Sequence, residues 1–146
     1  IEEVDEIWHA GDVGKIEVLD ELSKKKPVFG VYGNIDDHVV RKELPEFTVL
    51  EREDLRVAMT HIAGKFEVYH RRVAEWLREE KPHILVCGHS HILKAMYDKK
   101  FDLLHLNPGA CGIHGFHQKK TFLMLDILGG KIKSLNVVEL GPRARI

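Results

Sequence analysis

Four short apolar runs in the sequence are each followed by a polar side chain that can bind a metal ion. In the most informative of them, Ile84-Leu85-Val86-Cys87 leads into Gly88-His89-Ser90-His91. The other runs start near Ile7, Val28 and Leu55, and they lead to Asp12, Asn34 and His61. Apolar runs of this length, bounded by Gly, Pro or Thr, predict buried strands. Because ligands in open α/β sheets bind past the carboxyl ends of strands, the pattern predicts a site at that edge.

The two histidines after Gly88 are separated by one residue. Gly88 is expected to permit a positive φ and a close approach of the backbone. In an extended segment, side chains at this spacing point to opposite faces, so His89 and His91 would serve two adjacent metal ions more easily than one. An exposed pair of loop histidines is an equally good interpretation of these residues alone.

The acid and amide after the first two runs also have structural alternatives. Asp12 can cap a helix predicted at residues 15–25, and Gly33-Asn34-Ile35-Asp36 has the composition of a turn. Asp36 or Asp37 can cap the short helix that Pro45 closes. Oxygen and imidazole ligands that recur after four strands are explained more economically by one shared site. They predict a borderline divalent metal such as manganese, iron or zinc.

The remaining sequence alternates short helices and strands and predicts one domain over residues 1–146. A helix is predicted over residues 67–80, with Val68, Val73, Trp76 and Leu77 on its inner face. Strand pairs are predicted at 47–50 with 55–59, at 93–97 with 101–106, and at 121–128 with 131–140. The fold class is therefore mixed, with α/β units first and mostly antiparallel strands later.

Composition excludes several classes of function. The formal net charge is -1 and the basic clusters are short, which gives no strong indication of nucleic-acid binding. No apolar stretch is long enough to span a bilayer and no signal peptide is recognisable, so a cytoplasmic location is expected. The two cysteines fit a reduced compartment rather than a disulfide framework. The ten histidines, by contrast, are many for 146 residues, and each position needs its own account.

Taken together and in order, Gly11-Asp12-Val13, Gly33-Asn34-Ile35-Asp36, Thr60-His61 and Gly88-His89-Ser90-His91 resemble the signature blocks of the calcineurin-like metallophosphoesterases. Asn107-Pro108-Gly109 and the short chain are similar to the YfcE-type phosphodiesterase branch of bacteria and archaea. The resemblance implies a four-layer αββα sandwich, in which two mixed β-sheets are flanked by helices. It also implies hydrolysis of a small phosphodiester or phosphomonoester substrate.

The same resemblance implies roles for five residues. Asp12 would bridge two divalent metal ions, and Asn34, His61 and His89 would complete one metal site. His91 would belong to the other. Manganese is the expected metal, with iron, zinc, nickel or magnesium as alternatives. A hydroxide between the ions would attack phosphorus, while Asn34 would also contact the substrate.

The sequence departs from the family pattern in two ways. An Asp-x-His block that supplies the remaining ligands of the His91 site is absent, and because the chain starts with Ile1, a first strand and loop are expected to precede it. Ile35 stands where many members have a histidine that protonates the leaving group. Isoleucine cannot do so, which favours substrates with good leaving groups or a replacement acid elsewhere in the chain. His114 and His117 are candidates for phosphate contact or proton transfer, with surface histidines as the alternative.

A second class of function fits the same residues. The retromer subunit with this fold uses its surfaces to bind partner proteins, and the missing ligands and Ile35 would suit such a metal-poor scaffold. The intact set of Asp12, Asn34, His61, His89 and His91 favours the enzyme. Self-association is plausible for either, although the sequence locates no interface.

Overall fold

The structure is a computed structural model that describes residues 2–143. Its helices are α1 (Ile16–Ser23), α2 (His38–Glu43) and α3 (Arg71–Glu80). The strands up to the middle of the chain are β1 (Ile7–His9), β2 (Val28–Gly30), β3 (Phe47–Arg52), β4 (Leu55–Thr60), β5 (Gly64–Lys65) and β6 (Val68–Tyr69). They are followed by β7 (Ile84–Val86), β8 (Lys94–Asp98), β9 (Leu103–Asn107), β10 (Lys119–Leu128) and β11 (Lys131–Pro142).

A mixed sheet of five strands forms the centre of the molecule, in the order β3-β4-β7-β9-β8. Its inner strands β4, β7 and β9 run parallel, while β3 and β8 join the edges antiparallel. All three residues of β7 are buried, as expected for a parallel strand covered on both faces. Because β4, β7 and β9 point the same way, the segments that follow them meet at one edge.

The second β layer consists of two separate strand pairs in the part of the chain that is described. β1 and β2 pair in parallel, and β10 and β11 form an antiparallel hairpin around Gly129-Gly130. The expected continuous second sheet is therefore divided, because no hydrogen-bonded ladder joins the pairs within residues 2–143. Both pairs nevertheless pack on the same face of the central sheet, where Trp8 and Leu123 contact the cluster that contains Val57 and Ile84.

Helices cover the outer faces of both layers. Val73, Ala74 and Leu77 of α3 pack on the free face of the central sheet. Leu19 of α1 and Val40 of α2 pack with Val28 and Tyr32 around β2. The layers therefore run from α3 through the central sheet and the two strand pairs to α1 and α2, and the mixed α/β sandwich is confirmed.

The start of α3 differs from the prediction. Residues 64–69 form the small β5-β6 hairpin, and α3 begins only at Arg71. Glu67 adopts a positive φ of 62° in the turn, which a helix does not allow, and Val68 is 69% exposed. The predicted inner face is thus correct for Val73 and Leu77, partly so for Trp76, and wrong for Val68.

The capping alternatives are also resolved. The Asp37 carboxylate accepts hydrogen bonds from the backbone N–H groups of Val39 and Val40, at 2.9 and 3.1 Å, so Asp37 rather than Asp36 caps α2. The N-cap of α1 is Lys15, which makes no side-chain cap bond, so the interpretation of Asp12 as a cap is wrong. None of the helices formed by residues 2–143 has the length and apolarity needed to cross a membrane.

A chain of buried polar side chains lies between α3 and the central sheet. The Tyr69 hydroxyl donates to the Asp98 carboxylate at 2.8 Å and lies 3.1 Å from Nδ1 of His105. Nε2 of His105 lies 3.4 Å from Sγ of Cys87. Because the Tyr69 proton goes to Asp98, its oxygen accepts from His105 Nδ1–H, and the other ring nitrogen accepts from the thiol.

Burial also fixes the protonation states of two of these polar side chains. It lowers the pKa of His105 to about 4, with the positive charge of Lys94 as the second cause. It raises the pKa of the Cys87 thiol to about 12. His105 is therefore a packed neutral imidazole.

Candidate metal centre

Four of the five predicted metal ligands lie together where strands end. His61 follows β4 and His89 follows β7, whose carboxyl ends meet at one edge of the central sheet. Asp12 and Asn34 come from the loops after the parallel strands β1 and β2. Ligand atoms of Asp12, His61 and His89 lie within 4.8 Å of one another. Oδ1 of Asn34 lies 3.1 Å from Nε2 of His61 and 2.9 Å from Nδ1 of His89.

His61 has the proton arrangement of a metal ligand. Its Nδ1 lies 2.6 Å from the carbonyl oxygen of Ala10, which can only accept, so Nδ1 carries the proton. In the neutral ring, Nε2 then presents a lone pair to Oδ1 of Asp12 at 3.2 Å and to Oδ1 of Asn34 at 3.1 Å. In this form no proton lies between the Nε2 lone pair and either oxygen atom, and the lone pair repels both oxygens. A divalent cation among them removes this repulsion, so the residues fit a metal ion.

The glycines before Asn34 and His89 allow this close approach. A Cβ atom on Gly33 would overlap the carboxylate and backbone N of Asp12. One on Gly88 would lie 2.7 Å from the carbonyl oxygen of Ala10 and 3.1 Å from Nδ1 of His61. Larger residues at these positions would push the strand-end loops apart and separate the candidate ligands.

The backbone around the histidine pair is not extended. His89 and His91 have φ values of 64° and 57°, and Asp12 has 58°, so three predicted ligands are left-handed. The prediction that His89 and His91 lie in an extended segment is therefore wrong. The two rings still have different neighbours, since His89 packs 5.3 Å from the His61 ring centroid and His91 packs 5.2 Å from that of His117. Strained dihedrals of this kind cost about 1 to 3 kcal/mol each and cluster at functional sites.

Comparison with known proteins identifies the fold and the family. A family model for the calcineurin-like phosphoesterase superfamily domain matches residues 1–130. The chain belongs to the calcineurin-like phosphoesterase superfamily. Over 112 residues it is 35% identical to a probable metallophosphoesterase from Methanothermobacter thermautotrophicus. That match covers 74% of this chain but only 61% of the relative's length.

Solved structures show the same fold. The chain matches an archaeal phosphodiesterase with a TM-score of 0.74 and 24% identity, over 95% of this chain and 85% of that one. It matches zinc-bound Vps29 from Entamoeba histolytica with a TM-score of 0.72 and 19% identity, over 94% of this chain and 82% of that one. These structures confirm the fold, and the family model over residues 1–130 confirms the predicted superfamily.

Asp36 ties two strand-end loops of the phosphoesterase domain together. It is 3% exposed, and its carboxylate accepts from the backbone N–H groups of Gly14 at 2.8 Å and Gly33 at 2.7 Å. One bond therefore holds the loop of Asp12, and the other holds the loop of Asn34.

Asn107 holds the turn that contains the histidine pair. It is 3% exposed at the end of β9, and its Nδ2 donates to the carbonyl oxygen of Gly88 at 2.9 Å and to Oγ of Ser90 at 3.1 Å. The backbone N–H of Gly88 donates in turn to the carbonyl of His61 at 3.0 Å. The Asn-Pro-Gly block thus supports the candidate ligands without being one of them.

The other predicted site residues lie outside the cluster. His91 sits beside half-buried His117, and burial followed by the charge of His117 lowers the pKa of His91. His114 is exposed on the same loop as His117. Ile35 is 63% exposed, and its backbone N–H donates to Oδ1 of Asp12 at 3.2 Å.

His9 is a neighbour of the site that the sequence analysis missed. Its Nδ1 accepts from the backbone N–H of Gly11 at 3.2 Å. Burial lowers the pKa of His9, opposed by the negative charge of Asp36. His9 directly precedes Ala10-Gly11-Asp12, and this position could have indicated that it lies near the site. A single histidine within an apolar strand is, however, usually a packed residue.

Proposed function

We propose that this protein is a metal-dependent phosphoesterase that hydrolyses a phosphodiester or phosphomonoester. The observation that carries the proposal is the lone pair of His61 Nε2, which faces oxygen atoms of Asp12 and Asn34 at 3.2 and 3.1 Å. Asp12, Asn34, His61 and His89 would hold one divalent cation, and His91 would contribute to a second with Asp12 between them. When bound, such cations lower the pKa of water and neutralise charge on phosphate oxygens.

The protein's own residues would organise this chemistry. The bond from His61 to the Ala10 carbonyl fixes the ring so that Nε2 faces the site. Asp36 and Asn107 fix the loops, which keeps the candidate ligands in place before substrate arrives. Asn34 is exposed to solvent, and its side-chain amide would also donate to a phosphate oxygen, as the family resemblance implies.

The surroundings of the site indicate the kind of leaving group. Ile35, Ile62 and Ile92 are 63%, 37% and 64% exposed, and each directly follows a predicted metal ligand. These apolar side chains can pack against an aromatic leaving group, but they cannot give it a proton. We therefore propose aryl or otherwise activated phosphate esters as the substrate class, with manganese as the metal.

Replacing Ile35 with histidine is expected to change the dependence on the leaving group. Because a positioned acid contributes about 10²-fold or more to rate, Ile35→His should speed hydrolysis of a phenyl phosphate ester by at least about tenfold. It should change the p-nitrophenyl ester little, because that leaving group departs without a proton. Ile35→Gln is the matched control, since glutamine is polar but transfers no proton. Equal effects on both esters would show that position 35 does not face the leaving group.

The proposed activity is tested with the full chain stripped of metal by EDTA. Adding manganese is expected to restore hydrolysis of bis-p-nitrophenyl phosphate, and Asn34→Ala should lower the restored rate by at least about 100-fold. A circular dichroism spectrum unchanged by the substitution would show that the loss is local. If the wild-type rate equals that of Asn34→Ala at every manganese concentration, the proposed function is wrong.

A partner-binding scaffold is the second candidate. The exposed isoleucines beside the candidate ligands favour it, because a partner protein could cover them as well as an aromatic substrate could. The Vps29 structure shares the fold with this chain, although at 19% identity. Such a role would predict partner binding that is independent of metal.

A further inference from the structure

His91 and His117 form a second pair of imidazoles beside the four clustered residues. Their ring centroids are 5.2 Å apart, with an interplanar angle of 75°. Nδ1 of each ring is enclosed and has no hydrogen-bond partner within residues 2–143. A buried nitrogen without a partner is costly in free energy, so two of them side by side require an explanation.

The proton of the His117 ring can be placed. Its Nε2 lies 3.0 Å from the carbonyl oxygen of Gly112, which only accepts, so Nε2 carries the proton. In the neutral ring, the enclosed Nδ1 therefore presents a lone pair rather than an N–H group. His61 shows the same arrangement, with one ring nitrogen donating to a backbone carbonyl and the other facing candidate ligands.

Both enclosed nitrogens lie next to Gly115. A Cβ atom on Gly115 would overlap Nδ1 and Cε1 of His91 and would lie 3.1 Å from Nδ1 of His117. Gly115 also has a φ of 125°, which side-chain-bearing residues rarely adopt. Two imidazole nitrogens that lie next to the same glycine are a donor set suited to zinc, cobalt, nickel, iron or manganese.

The loop that contains His117 is anchored at several points. Thr121 N–H donates to the Ala110 carbonyl at 2.9 Å, which fixes the start of the loop. Arg143 N–H donates to the Gln118 carbonyl at 2.9 Å, directly after His117. The Arg143 guanidinium also donates to the carbonyl oxygen of Gly115. Asn107, which holds the turn of His91, accepts from Gly109 N–H at the start of this loop at 3.0 Å. The two histidines are thus positioned by connected elements.

We propose that His117 is a ligand of the second divalent cation, which it binds together with His91. The inference rests on the proposed function, because it assigns a further ligand to that metal centre. It adds an imidazole that none of the four strand-end blocks contains. The ligand set of the second cation would then include His91, His117 and the Asp12 carboxylate between the two cations.

Cobalt titration of the metal-free full chain tests this assignment, with visible absorption and calorimetry as readouts. The wild type is expected to bind two equivalents. His117→Ala should keep the first equivalent and bind the second at least about tenfold more weakly, with the loss of its absorption band. His114→Ala removes an exposed histidine from the same loop and is the matched control, expected to bind both equivalents like the wild type. Gly115→Ala should weaken the same equivalent without removing either imidazole.

The outcomes separate this inference from the proposed function. If His117→Ala binds two equivalents with wild-type affinity and spectrum, the assignment is overturned while the metal centre stands. The same holds if His117→Ala keeps both ions and loses only affinity for inorganic phosphate, because His117 would then contact substrate. If the wild type binds a single ion that His61→Ala abolishes and His117→Ala leaves unchanged, the assignment is also overturned. A wild-type chain that binds no cobalt would contradict both.

Discussion

Replacing His61 with alanine is expected to weaken binding of the first cation by at least about 100-fold. The imidazole is 4% exposed, and the carbonyl oxygen of Ala10 fixes its proton position at 2.6 Å. Its removal takes away the nitrogen ligand that lies next to the Asp12 and Asn34 oxygens, so the cation would lose one of its four candidate ligands. Calorimetric titration of the metal-free chain with manganese measures the change, and hydrolysis of bis-p-nitrophenyl phosphate should fall with the same metal dependence.

His38→Ala is the control for this measurement. His38 is an exposed histidine at the first position of α2, so its loss removes an imidazole without touching the candidate site. It should bind manganese like the wild type. Equal manganese affinity in His61→Ala and His38→Ala would show that His61 is a packed core histidine and not a ligand.

Replacing Asp98 with alanine is expected to lower the free energy of unfolding by about 3 to 5 kcal/mol. The side chain is 0% exposed, and its carboxylate accepts from the Tyr69 hydroxyl at 2.8 Å and from the backbone N–H groups of Lys100 at 2.9 Å and Phe101 at 3.1 Å. Alanine would leave these three donors, one hydroxyl and two backbone N–H groups, without their acceptor. Urea denaturation followed by circular dichroism measures the loss.

Two further variants serve as comparisons for the loss of stability in Asp98→Ala. Tyr69→Phe removes one hydroxyl, which donates to Asp98 and accepts from His105, and should cost about 1 to 2 kcal/mol. Asp102→Asn changes an exposed carboxylate in the neighbouring turn, whose φ of 55° asparagine tolerates, and should leave the denaturation midpoint unchanged. An Asp98→Ala midpoint equal to that of Asp102→Asn would mean that the buried polar chain contributes nothing to stability.

The convergence of the strand-end residues could be predicted because it follows from local patterns. The runs before Asp12, Asn34, His61 and His89 are short, apolar and closed by turn residues, and such runs become buried strands with their polar ends at a common edge. The hairpin around Gly129-Gly130 was likewise predictable from its two glycines. In both cases the local preference and the tertiary structure agree.

Other features depend on contacts that a sequence pattern does not encode. The left-handed backbone of His89 and His91 is held by Asn107, which is 16 positions beyond His91 in the chain and belongs to a different strand. The β5-β6 hairpin replaces the predicted first turn of α3 because Tyr69 turns inward to Asp98. His117 has no motif of its own, and only the folded loop brings it to His91.

The central claim is that Asp12, Asn34, His61 and His89 bind a catalytic divalent metal ion. Elemental analysis of the full chain after equilibration with manganese and gel filtration tests it most directly, with Asn34→Ala carried through the same steps. The wild type is expected to retain manganese in at least equimolar amount, and Asn34→Ala should lose most of it. A folded wild-type chain that emerges without metal and still binds a large partner protein would contradict the claim and favour the scaffold.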